Sequence, residues 1–232
     1  MNLSANGFYA TPGIDSFFTC GAAPFNYFNY GVACAEVQVD CLTGTVRFDC
    51  GMHSGCSYIS PGDYWIPRVD VLMDVGESLN PSIDIGQIEG AFVQGMGLFT
   101  LEEVVLFRNG QLFTRGPGSY KIPTGDDIPV DFRVELLADA PNHVRCVAVK
   151  GLSSDAMLVR VLNKYLQRPA PFSSKGVGEP PLFLSSSVFF AIKEAVAAAR
   201  VDNKLEPYVP IPSPATCERI RNACGDRFVE QV

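Results

Sequence analysis

The hydrophobic rhythm of the chain changes several times, and each change predicts an element. The first thirty residues carry Phe8, Tyr9, Phe17, Phe18, Phe25, Tyr27, Phe28 and Tyr30 around Pro12 and Pro24 without a period, which predicts an irregular packed segment. Residues 32–40 then alternate. Ala33, Ala35, Val37 and Val39 share one face, and Glu36, Gln38 and Asp40 share the other, which predicts a half-buried strand. A turn at Leu42-Thr43-Gly44 follows, and residues 69–75 predict a second strand. Between them, residues 47–67 hold Gly51, Gly55, Pro61, Gly62 and Pro67 with no period. Structureless loops of that length are uncommon inside a domain, so the stretch reads as an insertion across a hairpin.

Residues 84–103 predict the first long helix, with Asp84 as N-cap and Gln87 completing a capping box. Gly86, Gly90, Gly95 and Gly97 each cost this helix about 1 kcal/mol relative to Ala. Their spacing predicts that another stretch of backbone packs closely there. Residues 106–114 predict a hairpin turning at Asn109-Gly110. Strands are expected at 132–137 and 144–149, and a short amphipathic helix at 154–167 with Met157, Val161 and Tyr165 at helical spacing. A second long helix is expected over 182–200, led in by Pro180-Pro181, and a last one opens at Ser213-Pro214 and stops near Gly225. The predicted fold class is α+β: mixed strands with two long core helices.

Composition narrows the function classes. With 232 residues, 47% hydrophobic and 19% charged, the chain supports a packed core. Its 25 acidic against 18 basic residues give a net charge of -7 and no basic stripe, so no nucleic-acid partner is expected. Apolar runs such as 182–188 are short and interrupted, so no membrane span is expected. No secretion signal or peroxisomal tail is seen, and the eight cysteines read as reduced thiols, which together predict a cytoplasmic protein.

The most informative stretch for chemistry is Ser173-Ser174-Lys175-Gly176-Val177-Gly178-Glu179-Pro180-Pro181. Its glycines let the backbone turn and approach a bound group, and Glu179 stands at the tip, just before a helix. Two readings stay open: one acid presented to a pocket, or a Glu that interacts with the helix N-terminus. Glu89, Glu102 and Glu103 read as a solvated or paired helix face. Cys50, His53 and Cys56 supply three closely spaced ligands where zinc needs about four, so no metal site is expected. His143 and Trp65 are assigned no role, and Cys217 and Cys224 read as packing thiols.

This loop resembles the active-site loop of the molybdenum hydroxylases, in particular their xanthine dehydrogenase branch. The resemblance runs in order along most of the chain. It takes in residues 27–37, Asp40-Cys41-Leu42-Thr43-Gly44, residues 71–76 and 79–101, Thr114-Arg115-Gly116-Pro117, Tyr120-Lys121-Ile122-Pro123 and Ser213-Pro214-Ala215-Thr216. It implies a molybdopterin-binding domain over 1–232, matching the C-terminal part of the family's cofactor-binding region. It also implies a molybdenum–molybdopterin cofactor, with iron–sulfur and flavin centres in modules upstream of this part. By the same resemblance Glu179 is the general base that takes a proton from a hydroxyl on molybdenum. Gln87 and Gly178 become cofactor neighbours, the amide of Gln87 offering donors and an acceptor without charge. The substrate implied is a purine, hydroxylated with water as oxygen source, in a parent enzyme that is typically homodimeric. Glu179-Pro180-Pro181 favours purine over the aldehydes of the related aldehyde oxidases. A noncatalytic structural remnant is the alternative from another class. Residues 47–67 and 151–172 depart from the family pattern and read as insertions.

Overall fold

A computed structural model describes residues 28–41, 64–138 and 174–225. The turn at 42–44, the strand at 144–149, the helix at 154–167, the Cys50, His53 and Cys56 group, His143 and the stretch 151–172 all lie outside them.

Three strands form one sheet in the order β1 (Gly31–Val39), β2 (Tyr64–Met73) and β3 (Asp131–Leu136). β1 is antiparallel and β3 parallel to β2. The alternation expected for β1 holds: Ala33, Ala35, Val37 and Val39 pack against the core, and the residues between them are exposed. β2 begins earlier than expected, because residues 64–67 belong to the strand and not to a structureless loop. The cause is a bulge. The pairing passes from Glu36 with Arg68 to Gln38 with Trp65, so Ile66 and Pro67 together face Val37. An extra residue flips which side chains face inward. Ile66 is therefore buried on one side of the bulge, and Val69, Val71 and Met73 on the other. Pro67 has no N–H to donate and is tolerated at such an irregularity.

The first long helix, α1 (Pro81–Thr100), starts before Asp84. Its N-cap is Asn80, whose side chain accepts from the N–H groups of Ser82 and Ile83 at 3.2 and 3.4 Å. Pro81 opens the helix at no cost, since its missing N–H would have had no partner. The capping box of Asp84 with Gln87 is thus absent. Asp84 is buried in the first turn, and Gln87 is exposed. Ile88, Phe92 and Met96 bury the helix face at helical spacing, and the Phe92 ring meets Phe132 of β3 at 5.3 Å. Two of the four glycines have the close neighbours expected. A Cβ on Gly95 would overlap the Leu182 carbonyl and the Ser185 hydroxyl, and one on Gly97 would come within 2.5 Å of Pro123. Gly86 and Gly90 have no such neighbour within 4 Å among the described residues.

The hairpin at 106–114 reduces to one bridge between Leu106 and Leu112 around a tight turn, with Gly110 at φ 81°. The second long helix is broken in two, α2 (Pro180–Leu184) and α3 (Ser186–Asp202). At the break, Ser185 is buried and its hydroxyl donates to the Leu182 carbonyl at 2.6 Å. By length and composition alone Pro180–Asp202 is long and apolar enough to cross a membrane, its most apolar 18-residue window having mean hydropathy 1.6. Here Val188, Ile192 and Val196 are buried in the core, and α3 packs against β1. The last helix, α4 (Cys217–Cys224), starts after Pro214, because the Thr216 hydroxyl caps it by accepting from the N–H of Arg219.

Candidate functional site

Residues 174–179 lead into α2 and begin beside Val75 and Gly76, just past the end of β2. Ser174 bridges Gly76, and the N–H of Lys175 donates to the Val75 carbonyl at 2.8 Å, so the loop starts as an extension of the sheet edge. Its side chains then alternate between inside and outside. Lys175 and Val177 are buried, whereas Gly176, Gly178 and Glu179 are exposed.

Two polar anchors hold the inward side. The Lys175 ammonium donates to Asp74 at 2.5 Å and to the Phe28 carbonyl at 2.9 Å, with side-chain exposures of 4% for Lys175 and 7% for Asp74. The other Asp74 oxygen accepts from the N–H of Gly76 at 2.9 Å. The buried carboxylate of Asp84 accepts from Ser78 at 2.5 Å and from Ser174 at 3.1 Å, linking α1 to the loop. Buried charges need compensating partners: Lys175 and Asp74 are paired with each other, and Asp84 is hydrogen-bonded by two serine hydroxyls. A third tie is Asn29, whose amide donates to the Gly176 carbonyl at 2.5 Å. Its own oxygen is buried with no hydrogen-bond partner among the described residues.

Held in this way, the loop brings all three expected site residues together. Gly178 faces Gln87 of α1: a Cβ there would lie 3.1 Å from Gln87 Oε1, closer than ordinary contact. Glu179 follows at once. It occupies the N-cap position of α2, yet its side chain makes no capping hydrogen bond. A capping hydrogen bond is thus absent, though the residue stands at the helix N-terminus, and Glu179 is exposed next to Gly178. The described residues do not bury it.

The donor set suits a polar organic ligand. The Gln87 amide supplies two N–H donors and an acceptor, and Gly178 leaves room for close approach. Among the described residues no three metal-ligating side chains converge. Glu102 and Glu103 lie just past the end of α1 and not on its face: Glu102 accepts from the Tyr120 hydroxyl at 2.5 Å, and Glu103 pairs with Arg219 at 2.5 Å. A shallow groove of roughly 210 Å³ lies on the outer sheet face, lined by Cys34, Asp70, Leu72 and Arg133 among others, away from the loop. Lys175, Asp74 and Asn29 were not singled out from sequence, and Asp84 was read only as an N-cap. A buried ion pair between residues so distant in the chain leaves no periodic signal.

Comparison with known proteins extends this picture. The family model for the molybdopterin cofactor-binding domain matches residues 1–51 and 59–129, which include Gln87. Xanthine dehydrogenase of Dictyostelium discoideum is 50% identical over 235 residues, covering 100% of this chain. Xanthine dehydrogenase/oxidase of Felis catus is 49% identical over 232 residues and covers 98% of it. The chain spans 14% of the length of these curated relatives. The aldehyde oxidoreductase from Desulfovibrio gigas shares the fold, with TM-score 0.53 and 22% identity over 88% of this chain and 16% of that one.

Proposed function

The chain belongs to the molybdopterin cofactor-binding domain family, and on that premise we propose that it forms one wall of the active site of a xanthine dehydrogenase-like molybdenum hydroxylase. The observation that carries this reading is the meeting of Gln87, Gly178 and an uncapped Glu179 on one exposed edge. Gln87 and Gly178 suit molybdopterin because a side-chain amide and a backbone without Cβ accept a flat polar ligand closely. When bound, the cofactor supplies the redox chemistry of hydroxylation. The protein positions it and moves the proton. Gln87 donates and accepts hydrogen bonds at the cofactor, and a carboxylate oxygen of Glu179 is the proton acceptor. Burial strengthens a carboxylate as a base, so the remainder of the active site has to cover Glu179.

In this reading the substrate is a purine. The sequence Glu179-Pro180-Pro181 and the names of the relatives at 50% and 49% identity support it. The complete enzyme carries iron–sulfur and flavin centres in other modules, is homodimeric and acts in the cytoplasm without nucleic-acid or membrane partners. The chain alone does not turn over purine. Residues 47–67 and 151–172 are insertions in this reading, and the break in the family match at 52–58 supports the first.

The test uses the complete enzyme. Glu179→Gln should lower kcat by about 10²–10⁴-fold, the usual effect of losing a general base, with molybdenum content unchanged. Gln87→Ala should lose cofactor first. Wild-type turnover by Glu179→Gln, or loss of its metal, would place the base elsewhere. Urate formation by the isolated chain, given cofactor and an artificial electron acceptor, would overturn its inactivity.

A further inference from the structure

Two of the anchors on the 174–179 loop are not explained by stability. The Lys175 ammonium and the Asp74 carboxylate face each other with side-chain exposures of 4% and 7%. Taking two charges out of water costs about what their attraction returns, and an apolar pair of similar volume is often as stable or more so. The Asn29 amide donates to the Gly176 carbonyl at 2.5 Å, while its own oxygen is buried with no hydrogen-bond partner among the described residues. One hydrogen bond gained against one acceptor left unsatisfied brings no net stabilisation.

What both anchors supply is direction. The Lys175 ammonium donates to Asp74 and to the Phe28 carbonyl, so one group ties together three distant points of the chain. The second oxygen of Asp74 accepts from the N–H of Gly76, which fixes the carboxylate. Asn29, next to Phe28, holds Gly176, next to Lys175. Two consecutive residues before β1 thus grip two consecutive residues of the loop. Hydrogen bonds set distance and angle, whereas apolar contact is non-directional. Beyond the grip only the buried Val177 and then Gly178 precede Glu179, so an error of position at Gly176 passes to the carboxylate.

We propose that Lys175, Asp74 and Asn29 are positioning residues that place Glu179 for proton transfer, with no gain in stability. The proposal deepens the reading of Glu179 as the proton acceptor and rests on it. A general base must stand within hydrogen-bond reach of the proton it takes. Misplacement by about 1 Å can lower a rate about 10²-fold.

The test compares two anchor variants of the complete enzyme, Asp74→Leu with Lys175→Met and Asn29→Ala, by melting, molybdenum content, amide hydrogen exchange and kinetics. The Leu–Met variant should melt with the wild type and keep its molybdenum. Its amides at 176–179 should exchange faster, and kcat should fall about 10–100-fold with KM little changed. Asn29→Ala should show the same pattern at smaller size. In a Glu179→Gln background neither change should lower kcat further, because a misplaced base and an absent one are the same loss. Should the Leu–Met variant melt early, Asn29→Ala decides. Wild-type kcat in a folded anchor variant would overturn the proposal. So would a lower kcat with unchanged exchange or lost molybdenum, or a loss that adds in full to that of Glu179→Gln. Wild-type turnover by Glu179→Gln alone would instead sink the general-base reading, and this proposal with it.

Discussion

The loop at 174–179 and the segment at 101–130 both flank α1, and they are held in opposite ways. The loop is tied inward by a buried ion pair, by the Asp84 carboxylate and by Val177 in the core. The segment leaves Val104, Leu106, Phe107, Phe113, Ile122 and Val130 exposed. It is fastened at few points, among them Tyr120 on Glu102 and Pro123 over Gly97. The described residues hold the inward side of the loop in place. They leave the apolar side chains of the segment uncovered, and exposed apolar surface of that kind marks a site of contact. The placement of Gln87, Gly178 and Glu179 is therefore a property of this chain's own folding, whereas the order of the segment rests on a few exposed contacts.

The sharpest way to break this contrast is to remove one member of the buried pair. Asp74→Asn leaves the Lys175 ammonium buried without a counter-ion, and Lys175→Met does the same to the Asp74 carboxylate. Breaking a buried pair from one side typically costs about 3–5 kcal/mol. Urea denaturation should show a loss of that size for either variant. Asp74→Leu combined with Lys175→Met should recover most of it, because two apolar side chains leave no orphan charge. Single variants within about 0.5 kcal/mol of wild type, the range of ordinary surface substitutions, would mean that the pair does not hold the loop.

A smaller effect is expected where the segment docks on α1. Gly97→Ala places a methyl group against the Pro123 ring and the Glu102 carboxylate, neither of which can withdraw without loosening the segment. Overpacking of this kind costs about 1–3 kcal/mol. Gly90→Ala, with open space around it, should instead stabilise the helix by about 0.5–1 kcal/mol through propensity. The pair of alanine variants, compared by thermal melting, separates a glycine needed for packing from one that is not. Equal effects of the same sign would deny the docking contact.

The same distinction explains what the sequence revealed. Strand β1 was legible because its alternation runs unbroken from Ala33 to Val39. The start of β2 was hidden by the bulge at Ile66-Pro67, where the inward parity reverses and a proline suggests a loop. Asp84 passed for an N-cap because its pattern with Gln87 is local, whereas its real partners, Ser78 and Ser174, include one from the far end of the chain. The long helix over 182–200 was legible as an apolar stretch, but the break at Ser185 depends on its packing against Gly95, which no local pattern records. At the site, Gln87, Gly178 and Glu179 were reached through a family resemblance, and spacing alone left the role of Glu179 open. The clamp of Asp74 and Lys175 was not reached at all, because long-range pairing is decided by topology.

The smallest expected effect concerns the fastening of the segment by Tyr120. Its hydroxyl donates to Glu102 at 2.5 Å. That hydrogen bond, then desolvation, then the negative charge of Glu102 raise the phenol above its ordinary pKa of 10.0. Only the protonated phenol can donate, so folding and protonation favour each other. A group whose folded pKa is raised contributes its stability fully below the unfolded value, and that contribution is lost as pH rises through the folded one. The contribution of Tyr120 should therefore be constant up to about pH 10 and disappear at more alkaline pH, where a phenolate would face the Glu102 carboxylate. The contact is only part-buried, so the effect is slight and the comparison has to be made against Tyr120→Phe across pH. Wild type should show the higher urea midpoint below pH 10, and the difference should close or reverse above it. A Tyr120→Phe difference that grows with alkaline pH would have the wrong sign for a donor phenol and would remove this fastening from the comparison.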